Sequence, residues 1–141
     1  MTASFKKILV PVDGSKYSEK ALQRACEIVD AFGSKLVLVY VVEKSTPVNL
    51  LDRKEYMELI RKFGKKTLEK ANYTLEKKNI SAKSLLKEGN IVSEIEKVVK
   101  NEHCDLIIVG NKGLGAVGRF FLGSVSNKLS QHAPCSVLIV K

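Results

Sequence analysis

Aromatic side chains and cysteines are scarce in this sequence. Tryptophan is absent, aromatic residues make up 6% of the chain, and there are three cysteines. An odd number of cysteines without a framework spacing argues against a disulfide-stabilised secreted domain and favours a reducing compartment. The longest apolar run, Leu36–Val42, has seven residues, whereas a membrane-spanning helix needs about 20. Lys6, Lys7 and Asp13 interrupt the opening apolar stretch, so we expect no signal peptide and a cytoplasmic protein.

Acidic residues are missing from the last quarter of the chain. No Asp or Glu follows Asp105, whereas four basic residues do: Lys112, Arg119, Lys128 and Lys141. The whole chain carries 24 Lys and Arg against 15 Asp and Glu, a net charge of +9. Such a chain can bind nucleic acid, an acidic membrane or a polyphosphate ligand. The lack of aromatics disfavours a stacking platform for nucleic acid, and acidic residues interleaved over 52–78 disfavour a membrane-surface helix.

Apolar runs and helical periodicities alternate along the sequence. With 141 residues and no linker, repeat or low-complexity tract, residues 1–141 are expected to form one domain. The predicted strands are Lys7–Val12, Leu36–Val42, Ser81–Lys87, Leu106–Val109 and Ser136–Val140. Leu36–Val42 is apolar throughout and not alternating, which is typical of a parallel strand covered on both faces. The pattern predicts an α/β fold: a five-stranded parallel, doubly wound sheet of order 3-2-1-4-5 with helices on both faces.

The helices between these strands have recognisable ends. Ser15 is the expected N-cap of the first helix and Gly33 its C-cap, and Asn90 is the expected N-cap of the helix over Ile91–Lys100. The last helix is predicted near Ser124–Gln131. The second and longest, Asp52–Lys78, is weakened locally by Gly64, at about 1 kcal/mol relative to Ala. Its predicted inward face consists of Tyr56, Ile60, Phe63, Thr67 and Ala71.

Five glycines fall within the fourteen positions 110–123, directly after a buried strand and before a helix. Glycines let backbone N–H groups approach a phosphate, and a helix N-terminus adds partial positive charge, so this loop favours phosphate binding over a simple turn. No Walker-type string is present. A Rossmann-type spacing occurs at Gly113, Gly115 and Gly118, but no acidic residue follows for the ribose, so we reject it as a dinucleotide signature.

A third spacing, Gly-x2-Gly-x9-Gly-Ser, is met by Gly110, Gly113, Gly123 and Ser124. Together with the opening KILVPVDGS, the stretch CDLIIVG before the loop and the closing PCSVLIV, it resembles the ATP-binding branch of the universal stress protein family. The resemblance covers nearly the whole chain and implies a fold like that of the adenine nucleotide α-hydrolases. Asn111 and Lys112 stand where the family often has Ser or Thr and His or Arg.

The resemblance implies an ATP site, with Mg²⁺ held mainly by the phosphates. Val41 would meet the adenine, while Pro11, Val12 and Asp13 would line the base and ribose. The ribose and phosphates would pass over Gly110 and Gly113, and Lys112 is a candidate phosphate partner or a solvated surface residue. The phosphate chain would be held by Gly123, Ser124, Val125 and Ser126. For Asp13 an ordinary turn or helix-capping role stays open, because Asp-Gly-Ser is common turn chemistry.

The expected function is that of a nucleotide-dependent stress-response or signalling switch, or of a binding module. No Ser-His-Asp or Cys-His context is recognisable, and no carboxylate other than Asp13 is placed to activate water, so at most weak ATP hydrolysis is expected. Two alternatives stay open: a scaffold of the same fold that binds no nucleotide, and a slow ATPase. The apolar edge strand Ser136–Val140 invites pairing with a second chain, and the resemblance implies a homodimer through it.

Overall fold

Five strands and four helices alternate in the computed structural model, which describes residues 5–44, 52–112 and 121–141. The elements are β1 (Lys7–Pro11), α1 (Lys16–Phe32), β2 (Lys35–Glu43), α2 (Arg53–Glu76), β3 (Ala82–Gly89), α3 (Ile91–Glu102), β4 (Leu106–Gly110), α4 (Phe121–His132) and β5 (Ser136–Val140). The strands form one parallel sheet of order β3-β2-β1-β4-β5, which confirms the predicted topology.

The pairing between neighbouring strands is uneven. β1 pairs with β2 along its whole length, from Lys7 beside Lys35 to Pro11 beside Val39. β5 likewise pairs with β4 along its whole length. β1 and β4, in contrast, pair only through Ile8 with Leu106 and Leu9 with Ile107. The two central strands are therefore joined at their amino-terminal halves alone.

Each face of the sheet is covered by its own apolar cluster. One cluster contains residues of α1 and α2, and the other contains residues of α3 and α4. Strand β2 shows the alternation: Leu36, Leu38, Tyr40 and Val42 face α1 and α2, whereas Val37 and Val39 face α3 and α4. Because both faces are buried, the strand is continuously apolar in sequence, as predicted.

The three predicted cap residues, Ser15, Gly33 and Asn90, are confirmed. The Ser15 hydroxyl accepts from the Ser18 N–H at 3.1 Å, and the Asn90 side chain accepts from the Ser93 N–H at 3.0 Å. Gly33 ends α1 in the left-handed conformation with φ of 68°, which glycine adopts without steric cost. These caps fix where α1 leaves the carboxyl end of β1 and where α3 leaves that of β3.

The inward face of α2 differs from the prediction. The buried residues are Met57, Gly64, Leu68, Ala71 and Leu75. Of the predicted face, Ala71 is buried and Tyr56 and Ile60 pack half-buried against the core, whereas Phe63 is 43% exposed. A Cβ on Gly64 would lie 2.6 Å from Cδ1 of Tyr40. Gly64 therefore faces the sheet against the ring of Tyr40, where a larger residue has no room. The position that the sequence indicated as a weak point of α2 is a buried packing contact.

Candidate functional site

The central strands separate toward their carboxyl ends. At the amino-terminal end, the Asp105 carboxylate accepts from the backbone N–H groups of Lys6 and Lys7 at 2.9 and 3.1 Å, and two register pairs follow. Beyond them no pairing joins β1 to β4, although each strand continues. This is also where the winding reverses, because α1 and α2 cover one face and α3 and α4 the other. Ligands of open α/β sheets bind in the crevice at such a switch point.

The wall formed by β1 is held by a compact turn. The Val12 N–H donates to the Val39 carbonyl at 2.9 Å, and its side chain is buried. Asp13 Oδ1 accepts from the Ser15 N–H at 2.9 Å, and the Asp13 N–H donates to the Ser18 hydroxyl at 3.4 Å. Asp13 therefore has the turn role that its sequence context left open. Pro11, Val12 and Asp13 follow one another at the carboxyl end of β1, beside the gap between β1 and β4.

Gly110 ends the opposite wall and packs against helix α1. A Cβ at this position would lie 2.8 Å from both the carbonyl carbon and the oxygen of Tyr17. Those are backbone atoms, which cannot move aside as a flexible side chain can. The first turn of α1 thus requires a glycine at the end of β4, whether or not a ligand is bound.

Two polar residues follow Gly110. The Asn111 N–H donates to the Val140 carbonyl at 2.9 Å, which ties the end of β4 to β5. The Asn111 Oδ1 atom is buried and accepts no hydrogen bond from any described residue. A buried polar atom without a partner is costly and points to a missing donor. The next residue, Lys112, is exposed and places its ammonium nitrogen 5.7 Å from the centre of the Tyr17 ring.

Two further lysine side chains, which the sequence did not indicate as site residues, lie near the ring of Tyr17. The Nζ atoms of Lys16 and Lys20 lie 5.4 and 5.6 Å from the centre of the same ring. Both lysines are exposed and belong to the first turns of α1. The pattern Lys-Tyr-x-x-Lys directly after Asp-Gly-Ser was a possible signal, but only the approach of β4 brings Lys112 to the same ring.

The third strand of the crevice ends further out. β1 stops beside Val39, so Val41 lies two register positions beyond that pairing and is half-buried on the face of α3 and α4. Its neighbour Tyr40 points to the opposite face, where burial, together with the charge of Asp13, raises the pKa of its hydroxyl to about 12. Tyr40 is therefore neutral at physiological pH.

Helix α4 supplies the last group of predicted residues. Gly123 and Ser124 belong to its first turn, and the Ser124 side chain is exposed. Val125 and Ser126 are 7% and 4% exposed, and Val125 packs in the cluster of α3 and α4. The predicted helix start near Ser124 is thus three residues later than Phe121, where α4 begins. Gly113 lies outside the described residues.

Other kinds of site have little support among the described residues. In that part of the chain, no three His, Cys, Asp or Glu side chains are grouped as metal ligands, and no helix is long and apolar enough to cross a membrane. The Cys104 thiol is buried, and burial raises its pKa to about 11, which opposes thiolate chemistry.

The strand order and the helices on both faces define a doubly wound α/β protein. The universal stress protein family matches residues 4–141, and the chain belongs to this family. A universal stress protein of Methanocaldococcus jannaschii, MJ0531, is 31% identical over 140 residues, covering 97% of this chain and 82% of the relative. YxiE of Bacillus subtilis is 32% identical over 149 residues, covering 97% of this chain and 99% of the relative.

Solved structures show the same architecture. The universal stress protein UspA from Lactobacillus plantarum superposes with a TM-score of 0.86 at 25% identity, over 99% of this chain and 100% of that one. A universal stress protein in complex with cAMP gives a TM-score of 0.75 at 24% identity over 99% of both chains. An Arabidopsis thaliana family member with AMP bound gives 0.72 at 22% identity, over 96% of this chain and 91% of that one. At 24% and 22% identity, the last two structures show that the fold is shared.

Proposed function

We propose that this protein binds an adenine nucleotide in the crevice between β1 and β4 and acts as a nucleotide-dependent switch or binding module in a stress response. The observation that carries the proposal is the opening of the central ladder at the switch point, beside a buried acceptor that has no described partner, Asn111 Oδ1. Family members of the same fold hold cAMP and AMP, which supports an adenine nucleotide as the ligand.

The residues around the crevice suit the parts of such a ligand. A ribose hydroxyl or the adenine amino group would supply the donor that Asn111 Oδ1 lacks. Apolar Pro11, Val12 and Val41 would line the base and ribose, with Asp13 at the ribose edge. The phosphates would lie toward Lys112. No acidic residue follows Lys112 in the sequence, so no later carboxylate would repel them.

The remaining phosphate contacts come from backbone and hydroxyl groups. Backbone N–H groups in the first turn of a helix bind phosphate oxygens well, and the proposal assigns this role to Gly123 and Ser124, with Val125 and Ser126 following in α4. Gly110 and Gly113 would allow the phosphates to approach the loop. The proposed ligand is ATP, with Mg²⁺ held mainly by its phosphates.

The proposed role is binding with at most slow hydrolysis. Attack of water on a terminal phosphate needs a residue that positions or deprotonates the water. The sequence offers Asp13 as the carboxylate that could activate water. Its Oδ1 atom already accepts a hydrogen bond from the Ser15 N–H in the turn. A cytoplasmic location is part of this proposal, in keeping with three free cysteines.

Mass spectrometry of nucleotide released from the denatured, purified protein tests the proposal directly. We expect an adenine nucleotide from the wild type and its loss in Gly123→Val, because a branched side chain would occupy the first turn of α4. Ser130→Val is a matched control in the same helix, at an exposed position, and should retain the nucleotide. A wild-type protein that neither co-purifies with nor binds ATP, ADP or AMP would refute the proposal.

We also propose that β5 pairs with a second copy of the chain. This strand is at an edge of the sheet, and Leu138 on it is 39% exposed. Leu138→Asp should convert the proposed dimer to monomer in sedimentation velocity, because pairing of two β5 strands would bury the new charge on the apolar face of the joined sheet. Leu59→Asp, at a 64% exposed position of α2, is the control that should stay dimeric. The same sedimentation coefficient for the wild type and Leu138→Asp would refute this interface.

A further inference from the structure

Three lysine side chains surround the ring of Tyr17. The Nζ atoms of Lys16, Lys20 and Lys112 lie 5.4, 5.6 and 5.7 Å from its centre. Each distance is within the range of a cation–π contact, which keeps the ammonium groups near the ring. Because all three cations are close to one point, each lies in the partly screened field of the other two. We call these four residues the Tyr17 cluster.

The three lysines of the Tyr17 cluster take part in no ion pair between described residues. Across residues 5–44, 52–112 and 121–141, the ion pairs use other cations, and none includes Lys16, Lys20 or Lys112. Glu19, the acidic residue in the first turn of α1, pairs instead with Lys70 of α2 at 3.7 Å. The cluster is therefore an exposed concentration of like charge that an anion would stabilise.

The fold places the cluster beside the proposed phosphate region. Lys112 follows Gly110, which ends β4 at the crevice, and the Tyr17 backbone is the surface on which Gly110 packs. Lys16 and Lys20 come from the helix that begins directly after the β1 turn. Cations from both sides of the crevice thus converge at its outer edge.

We propose that the Tyr17 cluster recognises the number of phosphates on the nucleotide, so that the protein binds ATP more tightly than AMP. This inference rests on the proposed function, since it assumes that an adenine nucleotide occupies the crevice. AMP and ATP share base and ribose, so contacts to those parts cannot separate them. In the absence of Mg²⁺, ATP carries about two more negative charges than AMP, and lysine ammonium groups on flexible stems can follow them as point charges.

Isothermal titration of nucleotide-free protein with ATP, ADP and AMP, in the absence of Mg²⁺, tests the inference. In the wild type the affinity should rise from AMP to ADP to ATP. The double variant K16Q/K20Q should lose about tenfold in ATP affinity. Each of the two lysines interacts with each of the two additional charges of ATP, and these four weak, solvent-screened attractions together account for the loss. Its AMP affinity should change by no more than about twofold. Raising the salt concentration should reduce the ATP preference of the wild type more than that of the variant.

The matched control removes the same charge from elsewhere. K35Q/K100Q alters two exposed lysines, one at the start of β2 and one in the last turn of α3. Both lie toward the amino-terminal ends of the strands, away from the crevice. Its ratio of ATP to AMP affinity should equal that of the wild type. An equal loss of this ratio in both double variants would show an effect of net charge alone and would overturn the role of the cluster.

The outcomes separate this inference from the proposed function. If the wild type binds AMP and ATP equally well, or if K16Q/K20Q keeps the wild-type ratio, the cluster does not recognise the phosphates and the inference is wrong, while nucleotide binding stands. If the wild type binds no adenine nucleotide, the proposed function is wrong and the inference with it. Tyr17→Leu, which removes the ring, should reduce the ATP affinity and leave AMP binding intact.

Discussion

Replacing Gly64 by alanine sets two physical effects against each other. In an isolated helix, Gly→Ala stabilises by about 1 kcal/mol, because glycine loses the most backbone freedom on folding. In α2, however, the new Cβ would lie 2.6 and 2.8 Å from two ring carbons of Tyr40 and 2.9 Å from Leu86 Cδ1. The Leu86 methyl can rotate away. The Tyr40 ring is rigid, is 8% exposed, and packs edge-on against Phe63 with 6.1 Å between ring centres.

Overpacking of this kind costs about 1–3 kcal/mol. The net effect of Gly64→Ala should therefore be a loss of about 1 kcal/mol in the free energy of unfolding. Urea denaturation followed by far-UV circular dichroism measures it as a lower midpoint with an unchanged slope. Lys65→Ala, on the exposed neighbour, should change the free energy by less than about 0.5 kcal/mol.

A double-mutant cycle identifies the ring as the cause. In a Tyr40→Leu background the clash is relieved, so Gly64→Ala should become neutral or stabilising. If Gly64→Ala raises the urea midpoint in the wild-type background, helix propensity outweighs packing and the argument from the Tyr40 contact is refuted.

Three further changes have expected outcomes. Because burial raises the Tyr40 pKa from 10.0 to about 12, the native state keeps this proton while the unfolded chain loses it. Stability should fall between about pH 10 and 12 by up to about 2–3 kcal/mol, and Tyr40→Phe should flatten that slope in denaturation at each pH. Gly110→Ala should lower the melting temperature even without nucleotide, since the Cβ meets backbone atoms; an unchanged value would contradict this. Glu102 accepts from two lysine ammonium groups, which hold its pKa below the ordinary 4.5. Its contribution to stability is present above the unfolded-state pKa and is lost as pH falls through the lowered one. In acid titrations Glu102→Gln should lack that loss.

The arrangement of strands and helices was predictable because its signals are local. Each strand is marked by a short apolar run, and Ser15, Gly33 and Asn90 end or begin helices through contacts within four residues. The inward face of α2 was not predictable in the same way. That face packs Gly64 against Tyr40 of β2, and helical spacing within α2 alone cannot reveal a contact with another element.

The candidate site was predictable as a set of strand ends rather than as a set of contacts. Pro11 ends β1, with Val12 and Asp13 after it, and Gly110 ends β4, so all four lie on the side of the sheet where the parallel strands end. The packing reason for Gly110 and the gathering of cations at Tyr17 both arise from α1 lying across the end of β4. Spacing rules contain no information about that approach.

The short ladder between β1 and β4 divides the sheet into a three-stranded part and a two-stranded part. Two register pairs connect the two parts along the strands, together with the Asp105 carboxylate and the Asp105 N–H, which donates to the Lys7 carbonyl at 2.9 Å. A ligand bound between β1 and β4 would contact both parts and link them. Amide protons along the facing edges of β1 and β4 would then exchange with solvent more slowly when the ligand is bound. Binding would in this way reduce the motion of the two parts of the sheet relative to each other.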